Sequence, residues 1–270
     1  MIPLALAAVL GALPPALAPE PPGGGPPAPE PRAVAPPARD ALRVYEVRLA
    51  VDVPVTLGAA ALAALPYRFS SSLIAPRCPC DRREVPRLER FAVGLHSGAA
   101  DVASDVVVVL AVGAPLARDA LRLGLGPALG EDAEILAETL AVNSALVVLA
   151  KYAAQRPLPR TYAGDPELVA SPRGYRSFYS GHTSTAVSAL AAAAWTEHLR
   201  DGPSVWPWLV AAGAGAGVGV LRVAAGRHFP SDVAMGALAG FGVGTVVPLL
   251  HARRLSVLPA PGGLAIGAPF

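Results

Sequence analysis

Three short segments of this 270-residue chain carry residue types that can bind an oxyanion and attack it. The run Leu221-Arg222-Val223-Ala224-Ala225-Gly226-Arg227-His228-Phe229-Pro230-Ser231-Asp232 places an arginine, a histidine and a carboxylate close together. With Asp232 in the first turn of a helix that begins near Pro230, its carboxylate is expected to reach one ring nitrogen of His228. The other nitrogen is then left as a nucleophile. Arg222 ends an apolar run, and its planar fork suits a pair of phosphate oxygens. Phe178-Tyr179-Ser180-Gly181-His182-Thr183-Ser184 opens an Ala-rich helical run over 182–196. Gly181 permits close approach of the backbone to a ligand, and the helix start offers unpaired N–H groups. His182 can hand a proton to a leaving group there; the plainer alternative makes Ser180 an N-cap and His182 a first-turn residue. The third segment, Lys151-Tyr152-Ala153-Ala154-Gln155-Arg156-Pro157-Leu158-Pro159-Arg160, ends a helix at its prolines. Lys151 is the only lysine among 22 basic residues. It is either an anion ligand or a snorkelling residue at a helix end.

Taken together and in order, these segments resemble the type 2 phosphatidic acid phosphatase superfamily, which also holds bacterial acid phosphatases and vanadium haloperoxidases. The family pattern reads Lys-x6-Arg-Pro, then Pro-Ser-Gly-His, then Ser-Arg-x5-His-x3-Asp. It is matched by Lys151 and Pro159, by Ser180, Gly181 and His182, and by Arg222, His228 and Asp232. The chain departs from it at Leu158 (family arginine), Tyr179 (proline) and Leu221 (serine). Arg156 and Arg160 flank Leu158, and either can supply the missing guanidinium. The resemblance covers roughly residues 130–250. It implies His228 as nucleophile through a phosphohistidine, Asp232 orienting it, and His182 as acid and then base. Lys151, Arg222, Ser180 and the Gly181 N–H would hold the phosphoryl oxygens. It implies no metal and no cofactor, the cationic side chains taking that part; no His/Asp/Glu group has metal-ligand spacing in the sequence.

The elements that must position these residues are apolar. The chain is 53% hydrophobic and 16% charged, with a positive mean hydropathy. That composition points to an all-α, multi-pass membrane helix bundle. Six spans are predicted near 48–66, 103–123, 134–151, 182–198, 204–223 and 229–250, and the small residues of 211–217 predict close helix packing. A soluble bundle is the alternative; the uncharged run 205–220 argues against it. With this span count, the 152–181 connection and the 222–230 connection fall on one membrane face, so all three segments meet. Residues 1–18 read as a signal peptide or N-terminal anchor, and 19–40 as a Pro/Gly-rich linker. The phosphatase domain is expected over 41–252, followed by a C-terminal tail at 253–270.

The net charge of +2, with no basic stripe, excludes nucleic acid as partner. The partners expected are the membrane and a lipid phosphate or isoprenyl diphosphate substrate. A catalytically inactive lipid-phosphate binder or transporter is the alternative, and a vanadium haloperoxidase a more distant one. The arginines at 253 and 254 favour a site facing out, whereas six arginines between 67 and 102 favour one facing in. The resemblance and the leader favour the inner membrane with a periplasmic site. Asp105, Glu138 and Asn143 interrupt apolar runs and are read as structural partners. His96, His198 and His251 match no motif and are expected at the surface or interface. Cys78 and Cys80 flank a single proline, where a bridge is strained; they are read as non-catalytic.

Overall fold

The computed structural model describes residues 42–253 and the backbone of two later strands, so the expected leader and linker lie outside the described residues. Among the described residues, six long helices build the fold: α1 Leu49–Arg68, α2 Gly98–Leu123, α3 Pro127–Ala154, α4 Gly181–Asp201, α5 Trp206–Ala224 and α6 Pro230–His251. An antiparallel hairpin, β1 Ser256–Ala260 and β2 Gly263–Gly267, stands in the C-terminal stretch. The protein is thus an all-α helical bundle with a small terminal hairpin.

Each predicted span has its helix, but two begin earlier than the apolar pattern indicates. The start expected at 103 moves to Gly98, and that expected at 134 moves to Pro127. The reason is local. Ser97 caps α2 by accepting the Ala100 N–H at 3.2 Å, and Pro127 occupies the first turn of α3, where its missing N–H costs nothing. The first two turns then carry Asp101, Ser104, Glu131 and Asp132, polar residues that conceal a helix from an apolar search. All four are bonded: Asp132, for example, takes both oxygens to Arg200 at 2.8 Å.

Among the described residues, five stretches are long and apolar enough to cross a membrane: Leu49–Arg68, Gly98–Leu123, Pro127–Tyr162, Trp206–Ala224 and Pro230–His251. The chain is a multi-pass membrane protein. The sixth predicted span, 182–198, is a helix but falls short in hydropathy. α4 packs against α2, α3, α5 and α6, so most of its surface meets protein. A sheathed helix is served by Ala, Ser and Thr rather than by large lipid-facing side chains.

The tightest contact joins α4 to α6. Gly236, Gly240 and Gly244, one turn apart, lie against the backbone of Ser180, Ser184 and Ser188. A Cβ on Gly236 would stand 2.6 Å from the Ser180 carbonyl, and the other two would press as hard on Ser184 and Ser188. The expected small-residue packing of 211–217 is only partly used. Gly215 meets Val187, while Gly213 and Gly217 face open space.

The connections 69–97, 155–180 and 225–229 come together at one end of the bundle. Tyr175, fully buried, receives the Arg77 and Cys78 N–H groups on its hydroxyl and donates to the Val169 carbonyl. Cys78 and Cys80 are joined in a disulfide.

Candidate active site

The α4–α6 contact delivers two of the three segments to one place. The Ser180 N–H donates to the Asp232 carbonyl at 2.9 Å, so the start of α4 is fastened to the first turn of α6. Ser180 is the N-cap of α4, accepting the Thr183 N–H at 3.4 Å. Its capping role and its place beside His182 are therefore compatible. Gly181 lies over Val147 and the Lys151 stem, which brings in the end of α3.

His228 is buried in the 225–229 connection. Its Nδ1 lies 2.7 Å from the Ser177 carbonyl oxygen. A carbonyl only accepts, so the proton sits on Nδ1 and Nε2 keeps its lone pair. Burial, then the charges of Lys151 and Arg222, hold the His228 imidazole well below the usual histidine range. The ring is neutral at physiological pH, with a free nucleophilic nitrogen.

Asp232 does not touch the ring as the spacing suggested. Its Oδ2 is 3.9 Å from His228 Nδ1, too far for a hydrogen bond. That oxygen instead accepts the Ser177 hydroxyl at 2.6 Å and caps α6 by accepting the Phe229 N–H at 3.0 Å. Ser177 thus stands between them, giving its hydroxyl to Asp232 and its carbonyl to His228. A four-residue spacing spanning a helix start leaves the carboxylate turned back on the cap, and a residue from another connection fills the gap.

Arg156 and Arg160, equal candidates by sequence, separate in the structure. Arg156 donates to Asp232 Oδ1 at 2.6 Å, to Ser231 Oγ at 2.8 Å and to Glu89 Oε2 at 2.7 Å. Its guanidinium lies over the Phe229 ring, 4.2 Å from the centroid. Arg160 turns away to pair with Asp165. Leu158 is buried beneath the 155–180 connection, its N–H on the Gly174 carbonyl at 2.8 Å, and brings no charge. Lys151 is half-buried and donates to the Arg176 carbonyl at 2.7 Å.

Besides Ser177, four participants escape the sequence motifs: Asp101, Ser104, Asp105 and Glu89. Asp101 and Asp105 of α2 face the third segment. Arg222 donates to Asp101 at 2.6 Å and to Ser104 at 3.2 Å, and Arg227 joins the same carboxylate at 2.5 Å. The Arg222 Nε–H is buried and donates to no acceptor. Asp105 lies 2.7 Å from His182 Nε2, so its break in the apolar run belongs to the site, as a structural partner of a histidine. The fourth, Glu89, accepts the Ser231 N–H at 2.7 Å as well as Arg156. Burial opposes its charge, but the bonds from Ser231 and Arg156 hold its carboxyl below the usual range. Only Asp105 left a trace in the sequence, as an acid in an apolar stretch.

The arrangement offers a neutral nucleophilic nitrogen, a second histidine held by a carboxylate, and a lysine and an arginine nearby. Residues 133–256 match the PAP2 superfamily. The chain is also similar to the crystal structure of Aquifex aeolicus LpxE, at 26% identity and a TM-score of 0.43, over 61% of this chain and 96% of that one. No curated protein matches it. The matched stretch holds all three segments in order, so the similarity to the PAP2 superfamily takes in Lys151, His182, Arg222 and His228.

Proposed function

We propose that the protein hydrolyses a lipid-linked phosphate or diphosphate at the membrane surface through a phosphohistidine. The observation that carries this reading is His228: buried and neutral, its Nδ1–H committed to the Ser177 carbonyl and its Nε2 unencumbered. In the first step Nε2 attacks phosphorus, the bond from phosphorus to the leaving oxygen breaks, and that oxygen takes a proton from His182. In the second, His182 draws a proton from water, which attacks phosphorus and releases phosphate and neutral His228. Lys151, Arg222, Ser180 and the Gly181 N–H stabilise the equatorial oxygens. The unpaired Arg222 Nε–H supports this role, because a buried donor without an acceptor is costly unless a ligand supplies one. Arg156, held by Glu89 and Asp232, stands in for the family arginine and acts by positioning Asp232. The membrane setting favours phosphatidic acid, phosphatidylglycerol phosphate or an isoprenyl diphosphate, with the site on the periplasmic face of an inner membrane.

The test is phosphate release from these lipids in EDTA by purified protein. Turnover persists in EDTA, vanadate inhibits it, and His228→Ala and His182→Ala each lose at least ~10³-fold. Arg156→Ala loses more than Arg160→Ala. Retained turnover in His228→Ala sinks the mechanism. Lipid binding without turnover by the wild type selects the inactive-binder reading.

A further inference from the structure

At the end of the bundle away from these residues, three helices bring Asp52, Glu138 and His251 together. Asp52 lies in the first turn of α1, Glu138 in α3, and His251 is the last residue of α6. Both carboxylates are buried, and His251, expected at the surface or interface, is half-buried between them. His251 Nδ1 lies 2.8 Å from the Val247 carbonyl, which fixes the proton on Nδ1 and turns the Nε2 lone pair inward. That nitrogen stands 3.5 Å from Asp52 Oδ1 and 3.6 Å from Glu138 Oε2. Asp52 is held in this pose by the Arg48 N–H, which donates to its other oxygen at 2.6 Å. Glu138 Oε2 is buried, points into the cluster and accepts no hydrogen bond.

A shared proton does not account for this geometry, since both separations exceed a hydrogen bond. A metal ion does. Ligands ~2.1 Å from a tetrahedral centre lie about 3.4 Å from one another, close to both separations. Hydrogen bonding of the second imidazole nitrogen to a backbone carbonyl is the usual support of a metal-bound histidine. We propose that Asp52, Glu138 and His251 bind a divalent cation of zinc-like preference, one imidazole and two carboxylates leaving a fourth position to water. The ion joins α1, otherwise packed mainly on α3, to α6. It takes no part in phosphoryl transfer.

The experiment uses the full chain in detergent, stripped with EDTA, dialysed and loaded with zinc chloride. The wild type retains one zinc per chain and gains thermal stability from it. Glu138→Gln and His251→Gln bind zinc at least ~10-fold more weakly and show no thermal gain. Absence of bound zinc in the wild type, or wild-type affinity in both variants, overturns the proposal. Should a variant not fold, X-ray absorption of the zinc-loaded wild type decides. Nitrogen and oxygen ligands at ~2.0–2.1 Å support the site, and a sulfur shell at ~2.3 Å assigns the ion to cysteine and refutes it.

Discussion

At the residue scale, the proposed chemistry depends on keeping His228 neutral and correctly protonated. Because its buried ring is held well below the usual range, the unfolded chain binds a proton there that the folded chain refuses once pH falls below ~6.5. Stability supplied by neutral His228 is complete above that value and is lost as pH falls toward the depressed folded value, by up to ~1.4 kcal/mol per pH unit. His228→Asn keeps an N–H for the Ser177 carbonyl but cannot titrate. Its thermal midpoint therefore falls less than that of the wild type between pH 7.5 and 5.5; equal falls count against the assignment. The sequence disclosed both histidines because their neighbours form short, ordered motifs. It concealed Ser177, Glu89 and Asp101, whose contribution arises only when separate connections meet. The Asp232 contact was misjudged for the same reason: spacing along a chain does not reveal a third residue standing between two others.

At the element scale, the bundle is held by small residues in two different ways. Those of α6 admit the α4 backbone, whereas several on α5 face outward. Gly240→Ala forces a Cβ against the Ser184 carbonyl and costs ~1–3 kcal/mol, with loss of turnover because Ser180 and Asp232 move apart. Gly217→Ala meets nothing and stays within ~0.5 kcal/mol of the wild type. Thermal melts and phosphate release on the pair check both; equal effects would remove the proposed asymmetry. Helix number and order were legible because hydrophobic runs separated by Arg, Pro and Gly leave a strong pattern. Which glycines are packed was not, since Gly213 and Gly240 look alike until a partner is placed beside them. The Asp52–Glu138–His251 group was invisible for a related reason: each member belongs to a different helix.

At the scale of the whole molecule, apolar helices carry a polar site at one end, where three connections converge. A substrate anchored in the same layer is delivered in two dimensions. Turnover in mixed micelles should follow the surface mole fraction of lipid phosphate rather than its bulk concentration, and a water-soluble ester with the same head group should be at least ~10-fold poorer. A soluble ester turned over as fast as the lipid would contradict a membrane-bound substrate. The bonds that Glu89 accepts from Ser231 and Arg156, with those that Asp101 and Asp105 accept from Arg222 and His182, also fix how much of the chain is one working unit. All three acids precede residue 133, where the family match begins. A fragment cut at that boundary would keep both histidines yet lose the counter-charges that hold their surroundings. Domain grafts and minimal expression fragments therefore have to start upstream of Glu89.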